Sequence, residues 1–144
     1  MAAQTALAFA DRQLGRLLDA VREMGIADRT TVFVVSDHGF HSATKIIRPN
    51  TVLKREGLLR SATDCDAWVI PEGGTAMVYI TNPARRAELL PKLRESLGAL
   101  EGVESVIGEE RFAELGYPPP GPDSRMSDLV LAAKRGYAFG GDQD

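Results

Sequence analysis

Asp37 and His38 stand side by side in the stretch Ser36-Asp37-His38-Gly39. A carboxylate brings a hard oxygen and an imidazole a borderline nitrogen, a donor pair suited to zinc, manganese or iron in a catalytic site. Two ligands alone make a poor site, and the plainer alternative has Asp37 capping a turn with His38 as a loop residue. A specified tetrapeptide of this kind arises by chance in roughly one chain in a thousand of this length. Here it also follows an apolar run, Thr31 to Val35, and that position weights the pair toward chemistry. Gly39 is expected to let the backbone approach closely.

Other residues of chemical interest carry weaker signals. His41 lies three residues after His38 and has a nitrogen to lend, but a loop or surface role suits it better than a ligand role. Lys45, Arg48, Lys54, Arg55 and Arg60 are interspersed cations, more in keeping with a solvated face than with a phosphate cradle. Trp68 and Tyr79 are expected to pack rather than to stack on a base. Cys65 sits between Asp64 and Asp66, whose charges discourage a thiolate.

The motif needs elements to position it. Leu7, Ala10, Leu14, Leu17, Leu18 and Val21 recur at three- and four-residue steps, with Asp11, Arg12, Arg16, Asp19, Arg22 and Glu23 opposite, which predicts an amphipathic helix stopped at Gly25. "TTVFVV" then reads as a strand buried on both faces of a parallel sheet. Helix followed by buried strand indicates α/β architecture, and Ser36–Gly39 falls at the strand's carboxyl end, where open α/β sheets place ligands. Further along, Asn50 is expected to cap a short helix that contributes Val52, Leu53 and Leu58 and stops at Gly57. "GGTAMVYITNP" reads as turn and strand, "ARRAELLPKLRESLGAL" as a helix with Leu89, Leu90, Leu93, Leu97 and Leu100 inward, and "VESVI" as a strand. Pro91 is expected to shift the start of that helix or kink it. "YPPPGPDS" is a loop by composition, and "SDLVLAAKRGYAF" a final strand or hairpin before the polar "GGDQD".

Composition sets the frame. At 144 residues, 44% hydrophobic and 26% charged, the chain has the make-up of one globular domain with a sizeable core. Against 20 Asp plus Glu there are 17 Lys plus Arg, and the net charge of -3 gives no reason to expect nucleic acid or an anionic membrane as partner. A single cysteine excludes a disulfide framework and any zinc site built from several thiolates. The amino end reaches Asp11 and Arg12 too soon for a membrane span and lacks the basic start of a secretory signal.

On these residues the sequence resembles the alkaline phosphatase superfamily, in its type I phosphodiesterase and nucleotide pyrophosphatase branch. "ADRQLGRLLDAVREMGIADRTTVFVVSDHGF" is similar to that family's helix, turn and strand leading to the motif. "PNTVLKREGLL", "EGGTAMVYITNP" and "VLAAKRGYAF" resemble its later segments, so the likeness runs nearly the full length. The resemblance implies that Asp37 and His38 bind one ion of a two-metal centre, with Ser36 and Gly39 as supports, and that the two divalent ions are zinc. It also implies an earlier aspartate, a Thr or Ser nucleophile, an Asp-x-x-x-His pair and a late histidine, none of which these residues supply.

The resulting expectation is an α/β fold, a partial alkaline-phosphatase-like three-layer sandwich with a smaller β/α unit in its second half. Residues 1–144 form a single partial domain, with the core helix, strand and metal motif in 1–60 and the smaller part in 70–144. The expected function is that of a fragment of a metal-dependent hydrolase of phosphate esters or pyrophosphates, a phosphodiesterase or phosphatase inactive on its own and binding metal weakly or not at all when isolated. A sulfatase-like fragment and a noncatalytic interaction module with a vestigial metal motif are the alternatives. The partner implied for the intact enzyme is a phosphate-ester small molecule, and unpaired sheet edges leave room for self-association.

Overall fold

The computed structural model of the chain describes residues 2–121 and 124–141. It forms two compact units, Met1–Gly39 and Phe40–Asp144.

In the first unit the three- and four-residue apolar spacing produces helix α1, Ala2–Glu23. Gly25 follows it at φ 66°, a left-handed turn that ends a helix without steric cost. A short 3-10 turn, Ala27–Arg29, leads into the apolar run. The expected buried strand is not formed, because residues 30–35 pair with no strand among the described residues. Phe33, Val34 and Val35 remain 80%, 83% and 85% exposed. The reason is structural: a parallel strand is stable only when neighbours satisfy its backbone and cover its faces, and the described residues of this unit hold a helix and a 3-10 turn but no strand to pair with. No residue of α1 is buried either.

The second unit is built around a sheet. β4 (Ala67–Glu72), β5 (Thr75–Ile80), β6 (Val103–Gly108) and β7 (Leu129–Ala133) form it in the order β4-β5-β7-β6. Every pairing in it is antiparallel. Strand alternation puts Ala67, Val69, Ala76, Val78, Leu129 and Leu131 into one core. Helix α3, Arg86–Gly98, adds Leu89, Leu93 and Leu97, each fully buried, and runs on through Pro91. Val130 and Phe112 are buried apart from that cluster, Phe112 in the one-turn helix α4, Glu109–Phe112.

Helix α2, Pro49–Arg55, begins with a proline, whose missing N–H is not needed in a first turn. Asn50 is not its cap, as expected from the sequence; Arg48 holds that position and Asn50 turns inward. Its amide accepts from the Val69 N–H at 3.0 Å and donates to the Val69 carbonyl at 2.8 Å, closing the outer edge of β4 as a neighbouring strand would. Two strands, β2 (Leu59–Ser61) and β3 (Asp64–Cys65), make an irregular antiparallel ladder.

The "SDLVLAAKRGYAF" stretch gives two strands but no hairpin. β7 joins the four-stranded sheet, whereas β8 (Tyr137–Phe139) pairs in parallel with β1 (Lys45–Ile47), Lys45 opposite Tyr137. Pro122 and Asp123 of the proline-rich loop, and residues 142–144 of the polar end, lie outside the described residues. Among the described residues no helix is long and apolar enough to cross a membrane.

Candidate functional site

The motif follows the apolar run with its side chains in solvent, and local hydrogen bonds give it shape. The Ser36 hydroxyl donates to the His38 carbonyl at 2.6 Å, and the His38 N–H donates to Asp37 Oδ1 at 2.9 Å. His38 Nδ1 lies 2.8 Å from the Gly39 carbonyl. A carbonyl only accepts, so Nδ1 carries a ring proton in this contact. Ser36 and Gly39 thus both touch His38. The close backbone approach expected at Gly39 is absent, since a methyl group there would meet nothing within 4 Å.

His38 Nε2 is 3.4 Å from Asp37 Oδ2. Two ligands bound tetrahedrally to zinc at its usual bond lengths of about 2.0–2.1 Å lie about 3.4 Å from each other. The donor types and their separation therefore fit one edge of a metal coordination shell, and a carbonyl on the far ring nitrogen is the usual way such a histidine is held. Among the described residues no group of three or more His, Cys, Asp and Glu side chains gathers to complete a shell.

The other candidates resolve into structural contacts. His41 Nε2 accepts the Gly136 N–H at 3.3 Å. Lys45 Nζ donates to Glu101 and to the Tyr137 hydroxyl, both at 2.9 Å, and Tyr137 donates to the same Glu101 oxygen at 2.6 Å. The Tyr137 and Glu101 bonds raise the Lys45 pKa, and those from Tyr137 and Lys45 lower that of Glu101. Arg60 is engaged by Asp64 at 2.6 Å and Asp66 at 3.1 Å. Trp68 and Tyr79 are register partners across β4 and β5; Trp68 packs against the core, as expected of a packing residue, whereas Tyr79 borders a cleft and its hydroxyl donates to the Arg125 carbonyl at 3.1 Å. Cys65 is half-buried with its carbonyl bonded to the Thr81 hydroxyl. A cleft of about 600 Å³, bordered by Tyr79, Arg86, Glu109, Met126 and Asp128 among others, belongs wholly to the second unit and includes neither motif residue.

The model of the type I phosphodiesterase / nucleotide pyrophosphatase family matches residues 1–144. The chain belongs to that family. Phosphonoacetate hydrolase from Sinorhizobium meliloti 1021, solved with phosphonoacetate, has a similar fold: TM-score 0.50 and 22% identity over 74% of this chain. The same hydrolase solved with phosphonoformate gives a TM-score of 0.48 at 21% identity, covering 69% of this chain and 24% of that one. This phosphodiesterase-family chain spans about a quarter of the first hydrolase chain, 26% of its length. No curated protein matches it. The mixed helix and sheet architecture is thus that of an alkaline-phosphatase-like α/β fold.

Two clusters in this family member escaped the sequence reading. Asp66, 7% exposed, accepts from Asn82 at 2.8 Å, Arg85 at 2.8 Å and Arg60 at 3.1 Å. Hydrogen bonds from Asn82 and then Arg60 hold its carboxyl below the usual aspartate range. Asp128 is built likewise, with one oxygen on the Ile80 N–H at 2.7 Å and the other on Arg86 Nε at 2.6 Å. These partners are 6 to 48 residues apart in sequence, so no local spacing announces them.

Proposed function

We propose that the chain is the carboxyl-side part of a metal-dependent hydrolase of phosphate esters or pyrophosphates, to which it contributes Asp37 and His38 as ligands to one of two divalent ions, zinc by family resemblance. The observation that carries this is the 3.4 Å approach of Asp37 Oδ2 to His38 Nε2 with Nδ1 held at the Gly39 carbonyl. A bound divalent ion supplies charge that polarises a phosphoryl oxygen and lowers the pKa of an attacking hydroxyl. The chain's own part is to present the pair: Ser36 ties the turn through the His38 carbonyl, and the Gly39 carbonyl engages Nδ1 and orients the ring. On this reading residues 1–60 carry the metal motif and 70–144 the smaller β/α part.

Two protein ligands leave a zinc ion short of the three or four that a stable site has, so the 144 residues alone bind metal weakly and turn over no phosphodiester. Calorimetric titration with zinc and manganese is expected to show weak binding that falls further in His38→Ala and in Asp37→Ala. Tight stoichiometric binding that survives both substitutions would place the site elsewhere. A nitrophenyl phosphodiester with added zinc is expected to hydrolyse at the buffer rate; metal-dependent turnover lost in Asp37→Ala would show a complete centre within this chain.

A further inference from the structure

We infer that the cleft of the second unit is a binding site for an α-amino acid with a large apolar side chain, its carboxylate on Arg86 and its ammonium on Glu109. At about 600 Å³ the cleft has the size of a small-molecule site. Arg86 opens helix α3 and Glu109 opens α4. The guanidinium is held along one edge: Nε donates to Asp128 at 2.6 Å, and the other Asp128 oxygen is tied to the Ile80 N–H of β5 at 2.7 Å. Arg86 Nη2 stands 3.7 Å from Glu109 Oε2, an attraction between charges that is too long for a hydrogen bond. Among the described residues Nε makes the one hydrogen bond of this guanidinium. Its Nη donors and the exposed Glu109 carboxylate therefore keep capacity for a ligand.

The charges select the ligand. Two carboxylates outweigh one guanidinium here, so a simple anion is repelled by Glu109, while a simple cation leaves the Arg86 fork unmet. A group with a negative and a positive end side by side answers both. In an α-amino acid a carboxylate oxygen lies about 2.7 Å from the ammonium nitrogen, and charge-assisted hydrogen bonds are about 2.8 Å long. Nη2, carboxylate, ammonium and Oε2 then close a four-cornered ring of alternating charge across the 3.7 Å gap. Beyond that ring the cleft has apolar walls, Pro83, Met126 and the Tyr79 ring, whose hydroxyl is held by the Arg125 carbonyl at 3.1 Å. They suit an aromatic side chain, whose burial adds hydrophobic binding energy. The site lies within the second unit and is independent of the metal role proposed for Asp37 and His38.

The test titrates the isotopically labelled 144-residue chain with L-phenylalanine and follows its amides by NMR. Three further probes, 3-phenylpropionate, phenethylamine and glycine, lack in turn the ammonium, the carboxylate and the side chain. L-Phenylalanine is expected to shift the amides of Tyr79, Glu109 and Met126 and to bind about tenfold more tightly than each of the other three. Glu109→Gln, at an exposed position, should weaken L-phenylalanine about tenfold and bring it level with 3-phenylpropionate. Arg86→Lys keeps a cation beside Asp128 but loses the fork, and should bring L-phenylalanine level with phenethylamine. Should Arg86→Lys fail to fold, Glu109→Gln and the probe series decide alone. Unmoved cleft amides up to the solubility limit of L-phenylalanine, equally tight binding of any of the other three probes, or unchanged affinity in Glu109→Gln would each overturn the inference.

Discussion

Helices α1 and α3 have opposite fates for their apolar faces. α1 has the more regular stripe, Leu7, Leu14, Leu17 and Val21 at helical spacing, and buries none of it. α3 interrupts its stripe with Pro91 and still buries Leu89, Leu93 and Leu97 completely. The difference lies in what each helix meets. α3 lies on a sheet whose near face is already apolar, with Val78, Leu129 and Leu131 waiting, whereas the first unit offers α1 no such surface. Amphipathic spacing records that a face needs a partner; it says nothing of whether the partner is within the same unit.

The sharpest way to break that comparison is to truncate one leucine on each helix. Leu93→Ala empties a fully buried position and is expected to cost about 3 kcal/mol in denaturant unfolding. Leu17→Ala, at a position 66% exposed, should stay within about 0.5 kcal/mol. Comparable losses from the two would mean that α1 is covered in solution.

A smaller effect is expected at the sheet edge. Asn50→Ala removes both partners of the Val69 backbone while that residue stays buried, which should lower stability by about 1–3 kcal/mol. Hydrogen exchange at the Val69 amide should rise with it, and unchanged exchange would show that another group closes this edge.

The smallest effect is electrostatic and has a sign. Asp66 has its pKa depressed in the folded state by Asn82 and Arg60, so the native state binds its proton less readily than the unfolded chain does. Its contribution is therefore present above the ordinary value of 3.8 and is lost as pH falls through the lowered folded value. Asp66→Asn should lower Tm at neutral pH, and the gap to the wild type should narrow as the solution is acidified below that range. A gap constant with pH would assign the loss to packing rather than to charge.

Regularity decided what the sequence could show. α1, α2, β5, α3 and β6 were legible because each has a period or a stop residue of its own, Gly25 and Gly57 among them. β4 was not read, since Pro71 interrupts it and its outer edge is completed by Asn50, 19 residues earlier. For Leu129–Phe139 the sequence leaves open a single strand or a hairpin, because adjacency alone does not say whether two strands pair; only the three-dimensional arrangement assigns β7 and β8 to different sheets. Thr31 to Val35 shows the converse: its composition states that the segment belongs under cover, and not that the cover lies within the same unit. At the site, Asp37 and His38 were legible as neighbours in sequence. Glu101 and Tyr137 on Lys45, and Gly136 on His41, join residues 56 to 95 positions apart and leave no local trace.

The uncovered run from Thr30 to Ser36 gives Asp37 a second occupation. Seven consecutive residues there carry no charge and no proline, and five of them are β-branched, the composition from which cross-β stacks grow. Arg29 on one side and Asp37 on the other are its only immediate gatekeepers, like-charged copies repelling when segments try to stack in register. Neutralising Asp37 therefore removes half of that guard as well as a carboxylate, and loss of soluble protein in such a variant is a matter of colloidal chemistry before it is one of metal binding.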